Sequence, residues 1–258
     1  IRPRDWSSDV CSSDLVAKAV GAERYENWTD VSGFLMADPR VVHNPRPMRE
    51  VTYAELRELA YMGASVLHEE AVFPVREAGI PIHIRNTNAP DDAGTLIVAS
   101  RDATKTAVVG IAGKPTFAAF NITKALMNKE VGFGRRVLQV LEDHAVCFEH
   151  MPTGIDTMSV IVDNAVLGGH GPGIVRALER TCDPDRITLT SGLALIATVG
   201  QGMSGRIGIA ARLCAALAAR RINIRVIDQG SSENNIIVGV EEGDLEEAVR
   251  AIYTEFAE

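Results

Sequence analysis

The sequence predicts a mixed α/β and α+β protein, one α/β segment followed by two ferredoxin-like βαββαβ units. Three observations lead there. Strand and helix patterns alternate over residues 16–100. The order strand, helix, strand, strand, helix, strand then runs over 104–190, and the same plan restarts at Leu193 and fills 191–258. The last two strands of that second copy are joined by so few residues that they must lie antiparallel.

Residues 1–15 contain a small tandem repeat, Ser7-Ser8-Asp9 and Ser12-Ser13-Asp14, with no apolar period. They read as a foreign or unstructured leader, and the parent protein is expected to continue upstream of Val16. Residues 16–30 read as a helix end, a connection and a strand. Thr29 and Asp30 stand at its carboxyl end, where open α/β sheets place ligand contacts. Ala37-Asp38-Pro39-Arg40 reads as a turn presenting a guanidinium. Val51 to Gly79 carries helical periods, opened by Thr52 and Glu55 at capping-box spacing. IPIHIRN and TLIVA read as strands. From Thr104, KTAVVGIAG reads as a strand and ITKALMNKEVGFGRRVLQVLEDH as one long helix with Val137, Val140 and Leu141 as its core stripe. AVCFEHMPTG and DTMSVIVDN read as strands, GPGIVRALERTC as a helix and DRITLT as a strand. The second copy closes with DLEEAVRAIYTEF, capped by Asp244. Its sixth element is not visible: either a strand is lacking or strands are shared between the copies.

The second copy also contains a dinucleotide-site look-alike. LALIATVG enters Gly200-Gln201-Gly202-Met203-Ser204-Gly205, a helix follows, and INIRVID ends in Asp228. Strand, G-x-G-x-x-G, helix, strand and acid is the Rossmann order. The next strand begins within a few residues of Asp228, however. That link permits a hairpin and forbids a parallel crossover, which argues against an NAD-dependent oxidoreductase.

Bulk properties exclude several classes. A net charge of −8 offers no basic stripe for nucleic acid. No apolar run is long enough to span a bilayer, and there is no signal-peptide pattern, so a cytoplasmic location is expected. Cys11, Cys147, Cys182 and Cys214 form no C-x-x-C pair and read as structural thiols, with no metal spacing.

The stretch WTDVSGFLMADPRVV, then MGASVLH, then AGIPIHIRNTNAPDDAGTLI resembles the carboxyl-terminal part of the aspartate kinase catalytic domain. GQGMSGRIGIAARLCAALAARRINIRVIDQGSSENNI resembles the second of that family's paired ACT domains. The resemblance covers Val16 to the end. It implies a fragment of an enzyme that phosphorylates the β-carboxylate of L-aspartate with ATP and Mg2+, the first step toward lysine, threonine and methionine. It implies Thr29, Asp30, Leu35, Arg40, Ser65 and Val66 as the ATP contacts. Leu35 departs from a family aromatic ring, and Ser65 from a family lysine that would meet a phosphate. From spacing alone, Thr29, Asp30 and Arg40 read equally as a turn with local hydrogen bonds. The family's Lys-Phe-Gly-Gly motif and aspartate-binding residues are absent, so no catalytic residue is assigned and this chain alone is expected to be inactive.

By the same resemblance, lysine or threonine, or both, would act as feedback effector. The first copy offers Met127, Phe148, Glu149, His150, Thr153, Gly154, Ile155 and Asp156 to it; the second offers Gln201, Asn234 and Asn235. Glu149 would meet an ammonium. Gly154 and Ile155 depart from the family's Ser and Glu. From the residues alone, Met127 and Phe148 read as core, Glu149 and Asp156 as solvated edge carboxylates, and Gln201, Asn234 and Asn235 as turn and edge caps. A homodimer through the ACT units is expected. The alternative reading is a non-catalytic amino-acid-binding ACT regulatory protein.

Overall fold

A computed structural model of the chain describes residues 13, 15–63 and 75–257. Most of the expected leader, together with Ser65 and Val66, lies outside the described residues. The α/β segment holds β1 (Tyr25–Thr29), β2 (Glu50–Thr52), α1 (Tyr53–Tyr61), β3 (Ile82–Asn86) and β4 (Thr95–Val98). Its sheet has the order β1-β3-β4-β2. β1 runs parallel to β3 and β2 parallel to β4, while β3 and β4 are antiparallel. The capping box forms as expected: Thr52 caps Glu55 N–H, and the Glu55 side chain returns to the Thr52 backbone.

The remainder builds one five-stranded antiparallel sheet of order β6-β5-β7-β9-β8. Its strands are β5 (Gly110–Thr123), β6 (Thr157–Asp163), β7 (Arg186–Val199), β8 (Val226–Asp228) and β9 (Asn235–Glu241). β5 and β7 are 14 residues each and serve both halves of the sheet. The carboxyl half of β5 pairs with β6 and the start of β7, and its amino half pairs with the end of β7, which also pairs with β9. The open question of a lacking or shared strand is answered by sharing.

Alternation along these strands separates the faces. Ala118, Phe120 and Ile122 of β5 meet α2 (Phe133–Asp143) and α4 (Gly171–Cys182), which follows the four-residue α3 (Asn164–Leu167). Ile111, Ala194, Ile196 and Ile236 meet α5 (Ile209–Ala219) and α6 (Leu245–Phe256). The opposite face, with Phe117, Ala119, Leu193, Leu195 and Ala197, packs against Leu59 and Met62 of the α1 segment and against Ile82, Ile84 and Ile97 of the first sheet.

Four expectations are corrected. The long helix from Ile122 is only α2, because Phe117–Thr123 alternates as strand and left-handed residues at Leu126 (φ 61°) and Gly132 (φ 79°) break any earlier helix. Met127 therefore lies in a one-turn 3-10 helix. AVCFEHMPTG is an irregular edge whose bridges to the sheet are the isolated pairs His150–Ile161 and Thr153–Met158, since Pro152 between them has no N–H for a ladder. INIRVIDQG narrows to the three residues of β8. Asp244 stands at the start of α6, but its side chain makes no cap bond, because it sits in helical backbone.

β8 is antiparallel to β9, and β9 separates it from β7. No parallel dinucleotide crossover exists here. The glycine turn is filled by the chain itself. A Cβ on Gly200 would collide with the Ala107 carbonyl, and one on Gly202 with the carbonyls of Ala103 and Thr106. Among the described residues no helix is long and apolar enough to cross a membrane.

Candidate functional site

A cavity of about 670 Å3 opens at the carboxyl ends of β1 and β3. Asp30, Leu35 and Arg40 line it. Thr29 stands one residue back as the last residue of β1, its hydroxyl donating to the Asp30 carboxylate at 3.2 Å. The floor is apolar, from Leu56 and Leu59 of α1 and from Ile111 of β5.

Arg40 is exposed and gripped by Asp38. Its Nε donates to Asp38 Oδ1 at 3.0 Å and its Nη2 to Oδ2 at 2.6 Å. These bonds hold the Asp38 carboxyl below its ordinary range and raise the guanidinium. The fork uses Nε and Nη2 of Arg40 and not Nη1. On the other wall, Asn86 Nδ2 donates to Ser32 Oγ at 2.9 Å, and the Ser32 hydroxyl donates to Asp92.

The effector candidates do not converge. Asp156 Oδ1 accepts from Leu126 N at 2.8 Å, and Ile155 O from Asn128 N at 3.1 Å, so this group knots the turn beyond the Thr123 end of β5. Met127 is buried there, in the core against α2, whereas Phe148 and Ile155 are exposed. Gly154 N donates to Thr157 O, and the Thr153 hydroxyl to Met151 O. Gln201, Asn234 and Asn235 lie at the other end of β7, where Val199 pairs with Gly110 and Asn235. A 14-residue strand spans roughly 45 Å at ~3.4 Å per residue. Met127 and Asp156 therefore stand far from Gln201 and Asn235, whereas Glu149 and His150 lie on their side, next to α1 and Asp228.

Three of these candidates are instead held by α1. Gln201 N donates to Glu55 Oε1 at 2.8 Å, and Asn235 Nδ2 to Glu58 Oε2 at 2.6 Å. Tyr61 donates its hydroxyl to Glu149, and burial together with that contact pushes the phenol well above its ordinary value. His150 Nδ1 meets Asp228 Oδ2 at 3.0 Å, while its Nε2 is buried without a partner. The acid that would have held a ribose in a Rossmann site thus holds an imidazole.

Comparison with known proteins matches this arrangement to one family. Residues 7–86 match the amino acid kinase family and residues 196–256 the ACT domain. Aspartokinase 3 of Bacillus subtilis is 42% identical over 250 residues, covering 96% of this chain and 55% of that protein. Aspartate kinase of Clostridium acetobutylicum superposes with a TM-score of 0.90 at 49% identity, covering 96% of this chain and 57% of that one. The chain is similar to aspartokinases over nearly its whole length. It spans about half the length of the aspartokinases it matches. Aspartokinase III of E. coli, solved with aspartate and ADP, superposes at 0.78 and 26% identity over 96% of this chain and 56% of that one.

Several residues of this cavity escape sequence reasoning. Asp38 was seen only as part of a turn, yet it fixes the Arg40 fork. Asn86 ends β3, the parallel neighbour of β1, so the rule that singles out Thr29 would have found it. Ile111 to Gly113 join from a strand over 70 residues away, which no local signal reveals.

Proposed function

We propose that this chain supplies the nucleotide side and the regulatory module of an ATP:L-aspartate 4-phosphotransferase acting in the cytoplasm. Residues 16–100 are the kinase part, and 104–190 and 191–258 are the two ACT units, joined through β5 and β7. The single observation that carries the reading is the cavity with Asp30, Asp38, Arg40 and Asn86 at the strand ends. Its volume lies in the range of ligand sites, and its apolar floor with a polar rim suits a base and ribose above a charged tail. ATP bound there would supply the phosphoryl group. Thr29 and Asp30 would orient it, Leu35 would pack on it, and Arg40 would hold charge through Nη1, with Ser65 and Val66 completing the contacts. The described residues gather no three potential metal ligands, so no step is assigned to Mg2+.

The regulatory half would bind lysine, threonine or both. The aspartokinase III relative is also known with lysine and aspartate. Because Met127 and Asp156 lie far along the sheet from Gln201 and Asn235, we infer that the turn holding Met127, Gly154, Ile155 and Asp156 closes against a second copy in a homodimer. The exposed Leu126, Val131 and Ile155 around it support that pairing.

Titration of the chain with ADP by calorimetry tests the nucleotide reading. Saturable binding is expected, weakened about tenfold or more by Arg40→Gln, the scale of one charge-assisted hydrogen bond. No binding overturns it. Lysine binding without nucleotide binding would favour a non-catalytic ACT regulatory protein instead. Size-exclusion chromatography reads the dimer, which a monomer at micromolar concentration would contradict.

A further inference from the structure

A second cleft, of about 400 Å3, shares only Met48 with the nucleotide cavity and is lined by residues from 46–50, 101–109 and 206–212 with Met36 and Phe256. Its cations are Arg46, Arg49, Arg101, Lys105, Arg206 and Arg212, against two carboxylates, Glu50 and Asp102. Three of the cations are already matched. Arg101 forks onto Glu55, Arg212 meets Glu255 at 2.6 Å, and Lys105 lies 3.7 Å from Asp102.

The other three are not matched by acid. Arg46 spends Nη1 on the Ala257 carbonyl. Arg206 donates Nη2 to the Thr104 carbonyl at 3.0 Å. Arg49 is exposed, with no side-chain partner among the described residues. Carbonyls orient a guanidinium without cancelling its charge. In a chain of net charge −8, three guanidinia with no carboxylate contact, set against the single remaining carboxylate of Glu50, leave one concavity with a positive potential that opposes the overall field. Such a field attracts anions, and planar forks match the oxygens of a phosphate group.

We propose that this cleft binds a phosphate-class oxyanion, either free phosphate or the terminal phosphoryl groups of a larger molecule. The anion would bridge Arg49 of the kinase part and Arg206 of the ACT part, with Arg46 between them. The site is separate from the nucleotide cavity and does not depend on it: Arg40 lines only the other one.

Calorimetric titration of the chain with inorganic phosphate and with pyrophosphate, at constant ionic strength, tests this. One saturable site per chain is expected. Binding of phosphate identifies a free anion, and binding of pyrophosphate alone identifies a phosphoryl end; each supports the site if the variants behave as follows. Arg49→Gln with Arg206→Gln, both exposed positions, should weaken binding at least about tenfold. Arg40→Gln should leave it unchanged, and so should Lys129→Gln, which removes an exposed charge elsewhere. Absence of saturable binding overturns the proposal. So does loss in Arg40→Gln, which would put the anion in the nucleotide cavity, and so does equal weakening by Lys129→Gln, which would reduce the effect to net charge.

Discussion

Replacing Arg101 with methionine strips the guanidinium from the most buried charged pair described. The side chains of Glu55 and Arg101 are 0% and 3% exposed, and their closest contact is 2.6 Å. Glu55 also accepts from Thr52 N at 2.9 Å and Gln201 N at 2.8 Å. Burial pushes its carboxyl up, but Arg101 and the two N–H groups outweigh burial and hold it below its ordinary value. A carboxyl lowered by folding adds stability that is full above its unfolded pKa and is lost as the pH falls through the folded value. In Arg101→Met the charge stays buried with only hydrogen-bond donors. Breaking one side of such a pair costs about 3–5 kcal/mol. At about 2–4 °C per kcal/mol for a chain of this size, the melting temperature at pH 7 should fall by roughly 6–20 °C. With burial now dominant, the carboxyl rises above its unfolded value, so the gap from the parent should narrow between pH 7 and pH 4. Urea denaturation at pH 7, 5.5 and 4 reads both effects. Glu55→Gln added to Arg101→Met should recover part of the loss, since the neutral amide still accepts from Gln201 N–H. A cost below about 1 kcal/mol, or a gap that does not change with pH, would refute the reasoning.

Three further outcomes are expected. Gly202→Ala should cost about 1–3 kcal/mol by urea midpoint, because its methyl would press on the Ala103 and Thr106 carbonyls. Asp156→Ala should cost about 1 kcal/mol and speed hydrogen exchange at the Leu126 amide, whose acceptor it removes. In native protein treated with iodoacetamide, mass spectrometry should find exposed Cys147 alkylated before Cys214, and Cys182 only on unfolding, since burial shields that last thiol and raises its pKa.

Where local chemistry decides, the sequence was readable. Thr52 and Glu55 announced their capping box, the alternation in IPIHIRN announced a strand, and the short link after Asp228 excluded a parallel crossover. The candidates Asp30, Leu35 and Arg40 were brought to one cavity. Illegibility began where long-range pairing overrides a local pattern. Phe117–Thr123 lies between a bulge at Pro115-Thr116 and a run of helix formers, and only its partners in β6 and β7 make it strand. The same holds for Gln201, Asn235 and Glu149. Each was legible as a polar residue seeking a partner, and each partner sits on α1, 146, 177 and 88 residues distant.

The 14-residue strands have a consequence for how the chain acquires its shape. The amino half of β5 finds its neighbour only after Val199 has been made, some 85 residues later, while its carboxyl half can pair much sooner. Assembly of the sheet is therefore dominated by distant contacts and should be slow for a protein of this size. A protease cut at Gly192, in the turn-like kink of β7, would not release two independent halves. It would leave each fragment with an unpaired edge and half a hydrophobic face, and both should aggregate rather than persist as soluble domains.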